Sequence, residues 1–196
     1  FLQNGIEVIT FSRSKKNINS LIKDFRGYNK SLICYQGDVA SSRDVNRIQR
    51  LIKKQYKRID FLVNNSGLAV VAPVAKLKLN DWNRIIDTNL TGAFLLTKNM
   101  LPLLKKNSLI LNIGSIASKI GFPDWSAYCA SKFGLKGFTE SLREELRPKK
   151  IRVVHAEIGP TATSIWDNLD GKWDTSKMMD DSEVARVLFD SITNKK

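Results

Sequence analysis

Histidine occurs once and cysteine only twice in the 196 residues. Cys34, Cys129 and His155 stand far apart, with no ligand spacing, so neither a metal site nor a disulfide framework is expected. The two thiols are expected to be buried and free, in a reducing, cytoplasmic compartment. No apolar run approaches the roughly 18 residues of a membrane-spanning helix, and no leader pattern opens the chain, so no membrane partner is expected. Carboxylates are scarce: 19 acidic against 32 basic residues leave a net charge of +13. An excess of that sign can serve nucleic acid. Here, however, the lysines are scattered in short pairs such as Lys53-Lys54 and Lys149-Lys150, without a basic stripe or interleaved aromatics. The charge reads as a solvated surface, and no nucleic-acid partner is expected. Repeats and low-complexity segments are absent too. The remaining pattern suits a single domain over residues 1–196 with a real core.

Short apolar strands alternate with amphipathic helices. Strands are expected at 6–12, 31–37, 59–65, 109–115 and 151–157. Helices are expected at 15–26, 41–56, 80–106, 126–147 and after Asp180. Ser41-x-x-Asp44 and Asp180-x-x-Glu183 supply capping patterns, Asn80 or Asp81 is the expected cap of the third helix, and Pro102 is a break or kink within it. Nearly continuous apolar strands between helices imply a parallel sheet covered on both faces: an α/β, doubly wound, three-layered fold. In such sheets ligands bind beyond the carboxyl ends of the strands. Those ends carry Ser12-Arg13, Asp38-Val39, Asn64-Asn65-Ser66-Gly67, Ser115, and Gly159-Pro160-Thr161-Ala162-Thr163. Small, polar and glycine residues recur wherever a ligand would lie.

Four segments, in order and over nearly the whole chain, resemble the short-chain dehydrogenase/reductase family. "NNSG" is similar to its Asn-Asn-Ala-Gly turn, "DTNLTGAF" to the segment carrying its catalytic Asn, "LNIGSIAS" to the strand end carrying its catalytic Ser, and "YCASK" to its Tyr-x-x-x-Lys. The resemblance implies a Rossmann-like fold and an NAD(P)-dependent oxidoreductase with Asn89, Ser115, Tyr128 and Lys132 as catalytic residues. Ser115 and Tyr128 lie 13 residues apart, the family's usual spacing. Departures are Ser66 for Ala, Gly114 for Ser, and Ile158 for Pro before Gly159.

The chemistry explains why a phenol and an ammonium stand one helical turn apart. Hydride transfer to a carbonyl leaves an alkoxide that needs a proton, and a free tyrosine, with a pKa of about 10, exchanges protons poorly at neutral pH. Lys132 is expected to pull the phenol down. By resemblance it also grips the nicotinamide ribose, Ser115 orients the substrate oxygen, and Asn89 holds a water that relays protons. Arg13 at the end of the first strand, with no carboxylate beside it, favours the 2′-phosphate of NADP(H), with NAD(H) as the alternative. The cofactor set implied by resemblance is Ser12, Arg13, Asp38, Val39, Asn65, Ser66, Gly67, Tyr128, Lys132, Thr161 and Thr163. No metal is expected.

The family's glycine-rich phosphate turn and first strand would precede Phe1, placing the lost strand between 6–12 and 59–65; the family's last strand is also missing. The chain is therefore expected to be truncated at both ends. Residues 164–179 are expected to form a substrate lid, with Trp166, Trp173, Met178 and Met179 as apolar lining and Val70 to Val74 as another wall. The substrate is expected to be a ketone or secondary alcohol, possible 3-oxoacyl thioesters on an acidic carrier included. A non-catalytic nucleotide sensor or scaffold is the alternative. The outward face of the helix at 126–147 (Ala130, Phe133, Gly137, Phe138), with Gly134 and Gly137 admitting a partner's backbone, implies a homodimer or homotetramer.

Overall fold

The computed structural model describes residues 1–194. Its strands are β1 (Val8–Ser12), β2 (Leu32–Gln36), β3 (Ile59–Asn64), β4 (Leu104–Ile113) and β5 (Arg152–Ala156). Its helices are α1 (Lys15–Asp24), α2 (Ser42–Gln55), α3 (Leu79–Ile86), α4 (Gly92–Met100), α5 (Ser126–Leu146) and α6 (Asp181–Thr193). All strand pairs are parallel. β1 pairs with β2, and β3–β4–β5 form a second ladder. No ladder joins β1 to β3. A groove of about 690 Å³ lies between them, lined by residues of both strands such as Val8, Thr10, Phe61 and Val63.

Successive side chains of a strand point to opposite faces, and β4 uses both. Ile110 joins Val45, Ile48, Leu96, Met100 and Leu146 in the larger core, contributed by α2, α4 and α5. Leu109 and Leu111 join Ile192 of α6 on the other face, with Phe1, Phe61 and Val154 against them. Two helical layers thus enclose the sheet, which is why its strands read as continuous apolar runs rather than alternating ones.

Several boundaries differ from the sequence reading. The expected helix over 80–106 stops at Met100 and is followed by a 3-10 turn, Leu101–Leu103. Pro102 lacks the N–H that a continuing helix needs. β4 therefore begins at Leu104 and carries the shift in β3–β4 pairing between Ile59 and Phe61. Ser108 holds that start: its hydroxyl donates to Ile59 O at 2.7 Å and accepts from Lys105 N at 3.0 Å. Lys78, not Asn80 or Asp81, is the α3 cap residue, without a side-chain cap. Ser41 and Asp180 do cap their helices, accepting from Asp44 N and Glu183 N. Cys129 is buried, whereas Cys34 is only partly so. Burial nevertheless pushes the Cys34 thiol pKa up.

Candidate active site

Parallel strands bring every candidate segment to one edge of the sheet, beyond the strand carboxyl ends. The groups there separate into two neighbourhoods.

The first lies beyond β4. Ser115 has an extended backbone and caps the 3-10 turn Ile116–Ser118. Its Oγ accepts from Ala117 N at 3.1 Å, and its N–H donates to Ser118 Oγ at 3.3 Å. The turn is tied to the loop after β5, with Gly114 N–H donating to Ala156 O at 2.8 Å and Ile116 N–H to Ile158 O at 3.0 Å. Ile158 thus holds the turn through its carbonyl. Tyr128 and Lys132 lie one turn apart on α5. The Lys132 Nζ is 5.6 Å from the Tyr128 ring centroid and donates to Ile113 O, at the end of β4, at 2.7 Å.

Lys132 is buried, and burial holds its pKa down at about 8. Burial also pushes the Tyr128 pKa up, and only a hydrogen bond with Ser115 pulls the other way. The expected lowering is thus not seen in the ligand-free protein, where burial is the largest influence on the phenol and raises its pKa.

Asn89 sits in a π-helical turn, Asp87–Thr91, between α3 and α4. Such turns interrupt helices often at functional sites. Its Oδ1 accepts from Leu68 N at 2.9 Å, while its Nδ2 donates to Leu68 O at 2.9 Å and to Ser131 Oγ at 3.0 Å. Both amide protons are thus spent on protein. The side chain ties Leu68, just after the Asn65-Ser66-Gly67 loop, to α5. A Cβ on Gly67 would lie 3.7 Å from Asn89 Oδ1 and 4.0 Å from Lys132 Nζ, so this glycine opens the loop toward both groups.

The second neighbourhood lies beyond β1 and β2. A hollow of about 480 Å³ is lined by Arg13, Gln36, Gly37, Asp38, Asp44 and Arg47. Arg13 Nη1 is 3.8 Å from Asp38 Oδ2, and Gln36 Nε2 donates to Arg13 O at 3.1 Å. Asp38 Oδ1 accepts from Ala40 N at 2.9 Å and its N–H donates to Asp44 Oδ2 at 3.0 Å. Ser12 Oγ accepts from Ser14 N at 3.3 Å. Val39 packs on Gly92, where a Cβ would come within 2.9 Å of it. Arg47 was not among the expected residues. It stands three residues after Asp44, with which it forms an ion pair at 3.6 Å, and donates to Gln36 O. Its spacing on the outer face of a charged helix carries no signal of a site.

Thr161 and Thr163 lie in the loop after β5. Thr161 forms a bridge with Met179 and accepts at its carbonyl from Trp166 Nε1 at 2.8 Å; Thr163 O accepts from Trp166 N at 3.3 Å. Through Trp166 they meet an aromatic cluster. Trp125 lies 5.4 Å from Tyr128, 6.1 Å from Trp166 and 5.7 Å from Trp173 between ring centroids. Two expected lid residues, Trp166 and Trp173, thus stack beside Tyr128 through Trp125, which the sequence reading missed. Met179 is instead pinned to Thr161.

Residues 1–173 match the short chain dehydrogenase family. The chain belongs to the short-chain dehydrogenase/reductase family. This short-chain dehydrogenase is similar to a 3-oxoacyl-[acyl-carrier-protein] reductase of Synechocystis sp., at 32% identity over 167 residues, covering 84% of this chain and 68% of that relative. It is similar to a sepiapterin reductase of Chlorobaculum tepidum at 28% identity over 183 residues, covering 92% and 75% of the two chains. Its fold superposes on the solved structure of ElxO with NADP bound, with a TM-score of 0.86 and 26% identity, covering all of this chain and 84% of that one. The chain is accordingly an oxidoreductase of the NAD(P)-dependent kind.

The donor set fits such a cofactor. Arg13 and Arg47 line the 480 Å³ hollow, each beside a carboxylate, Asp38 or Asp44, from which an incoming phosphate would draw it, and Gly67 carries no side chain beside Lys132.

Proposed function

We propose that this dehydrogenase interconverts a ketone and a secondary alcohol with NADP(H), and that its substrates include 3-oxoacyl thioesters. The observation that carries this reading is the convergence of Ser115, Tyr128, Lys132 and Asn89 from three separate elements. The nicotinamide, when bound, supplies or accepts the hydride. Tyr128, held as a phenol by burial, donates its proton to the substrate oxygen in the reductive direction. The Ser115 hydroxyl accepts from Ala117 N and turns its own proton toward Tyr128, where a substrate oxygen would take it up. Lys132 holds two protons beyond the one given to Ile113 O, and these serve the nicotinamide ribose. Asn89 anchors Leu68, just after the Asn65–Gly67 loop. Thr161 and Thr163 support the nicotinamide end through the Trp166 contact.

Arg13 favours the 2′-phosphate, with Asp38 and Val39 beneath the adenine. A 3-oxoacyl thioester on an acidic carrier suits the net charge of +13 and the activity named for the Synechocystis relative.

Steady-state kinetics with NADPH and NADH on acetoacetyl thioester test the reading. Tyr128→Phe should lower kcat by about 10²- to 10⁴-fold, the usual weight of a positioned acid, with NADPH binding nearly unchanged. Arg13→Ala should weaken NADPH by roughly 10- to 150-fold, as a lost charge-assisted contact of about 1.5–3 kcal/mol implies, and NADH far less. Retained turnover in Tyr128→Phe would sink the catalytic assignment; equal losses for both cofactors would sink the NADP(H) preference.

A further inference from the structure

The chain's single histidine is used by nothing described so far. His155 lies on β5, opposite Asn112 of β4. Its ring rests against Gly114, the residue before Ser115: a Cβ there would come within 2.3 Å of Nε2 and 2.8 Å of Ala156 O. Only glycine admits the ring at that distance, which accounts for the departure at position 114.

The ring's two nitrogens end a chain of buried polar groups. The Thr139 hydroxyl donates to Leu135 O at 2.6 Å and accepts from Asn112 Nδ2 at 2.8 Å. Its proton is therefore committed, and Nδ1, 3.4 Å away, meets it as the donor. In a neutral imidazole Nε2 is then the acceptor. It faces Ser118 Oγ at 3.1 Å. Ser118 in turn accepts the Ser115 N–H at 3.3 Å. Thr139, Asn112 and Ser118 are all buried, and the ring itself is partly so.

We propose that His155 is a positioning residue: as the neutral Nδ1–H tautomer it accepts the Ser118 hydroxyl proton at Nε2 and so fixes the turn that presents Ser115 to the substrate oxygen. The inference rests on the proposed role of Ser115. Protonation turns Nε2 into a donor, and the Ser118 hydroxyl, already accepting from Ser115, then loses the acceptor for its own proton. The charged groups around the ring are Glu157, Lys132, Lys136 and Glu140. Burial is the largest influence and holds the ring below its ordinary value of 6.5; Lys132 and Lys136 act in the same direction, while Glu157 and Glu140 oppose it. The turn is thus intact at neutral pH and is released only in acid.

Because the chain holds one histidine, ¹⁵N-labelled imidazole gives a single set of ring signals. NMR of the full chain at pH 7.5 should show Nδ1 protonated and Nε2 bare; an Nε2–H tautomer, or an imidazolium at that pH, would overturn the proposal without touching the oxidoreductase reading. Kinetics on acetoacetyl thioester and NADPH give the second readout. His155→Leu should lower kcat between about 10- and 100-fold, the scale of a small misplacement of a reacting group, with NADPH affinity unchanged. His155→Gln, whose Oε1 can still accept from Ser118, should keep most of kcat and lose the acid limb of the kcat–pH profile below 6.5. Equal losses in both variants, a persistent acid limb in His155→Gln, or full activity in His155→Leu would each refute the role. If the Leu variant does not fold, the tautomer and the Gln profile decide. Tyr128→Phe run alongside reports separately on the underlying chemistry.

Discussion

Lys132 is a cation enclosed by protein, and its protonation is the site's most accessible variable. Burial lowers its pKa to about 8, so in the free protein the ammonium is complete below that pH and is lost above it. A ligand that needs the charge must then bring a proton with it. Linkage makes its affinity fall by up to about tenfold per pH unit above the free-state pKa. NADPH affinity, followed by quenching of tryptophan fluorescence, should be flat from pH 6.5 to about 8 and weaken from there to 9.5. Lys132→Arg, charged throughout, should remove the break. A flat profile in the native protein would show that Lys132 does not meet the cofactor as a cation. Tyr128 and Lys132 were legible through the resemblance of YCASK to the family's Tyr-x-x-x-Lys motif, their spacing alone being that of any surface pair. The direction of the phenol's pKa was not, because desolvation depends on how Trp125 and the Ser115 turn close around it.

At the level of the element, local chemistry was decisive where it could act alone. Ser41 was readable as an N-cap, and its Oγ accepts from Asp44 N at 3.2 Å. Ser41→Ala should cost about 1 kcal/mol, lowering the melting temperature by roughly 2–4 °C in a chain of this size. Ser41→Gly should cost only a few tenths. Thermal denaturation followed by circular dichroism separates the two; equal losses would mean that the hydroxyl is not what stabilises α2. The region 80–106 was less legible. Its 3.6-residue period is real as far as Met100, but a periodic pattern does not register the π turn at Asp87–Thr91. Nor does it reveal that Lys105 and Lys106 continue as strand. Ser108 bonding Ile59 O, 49 residues earlier in the chain, settles that assignment, and no local signal encodes a partner so distant.

On the whole molecule, one face of α5 remains uncovered. Phe133 is 46% and Phe94 43% exposed, and a Cβ built on Gly137 meets nothing within 4 Å. Phe94 and Phe138 form a ring contact at 6.3 Å beside it. Gly134 differs from the expectation. A Cβ there would strike Leu90 Cδ2 at 2.8 Å, so that glycine serves packing within the chain and not a partner. We propose that a second copy covers Phe94, Phe133 and Gly137, giving a dimer or tetramer. Light scattering at micromolar concentration should report the assembly, and Gly137→Trp should shift it to smaller species. A native monomer would refute the assembly and leave the chemistry standing.

By itself the sequence determined the fold class and the order of strands and helices, which follow from apolar periodicity and strand-end composition, properties of contiguous residues. Asn89, Ser115, Tyr128 and Lys132 were singled out by their resemblance to the family's motifs. Tertiary structure alone decided which groups are spent on protein. Both amide protons of Asn89 go to Leu68 and Ser131, Arg47 closes beside Arg13, and His155 takes the space left by Gly114. The reason is physical: a hydrogen-bond partner or a desolvated charge is defined by what lies within a few ångströms, and in a parallel sheet those neighbours come from strands joined through a helix, dozens of residues apart.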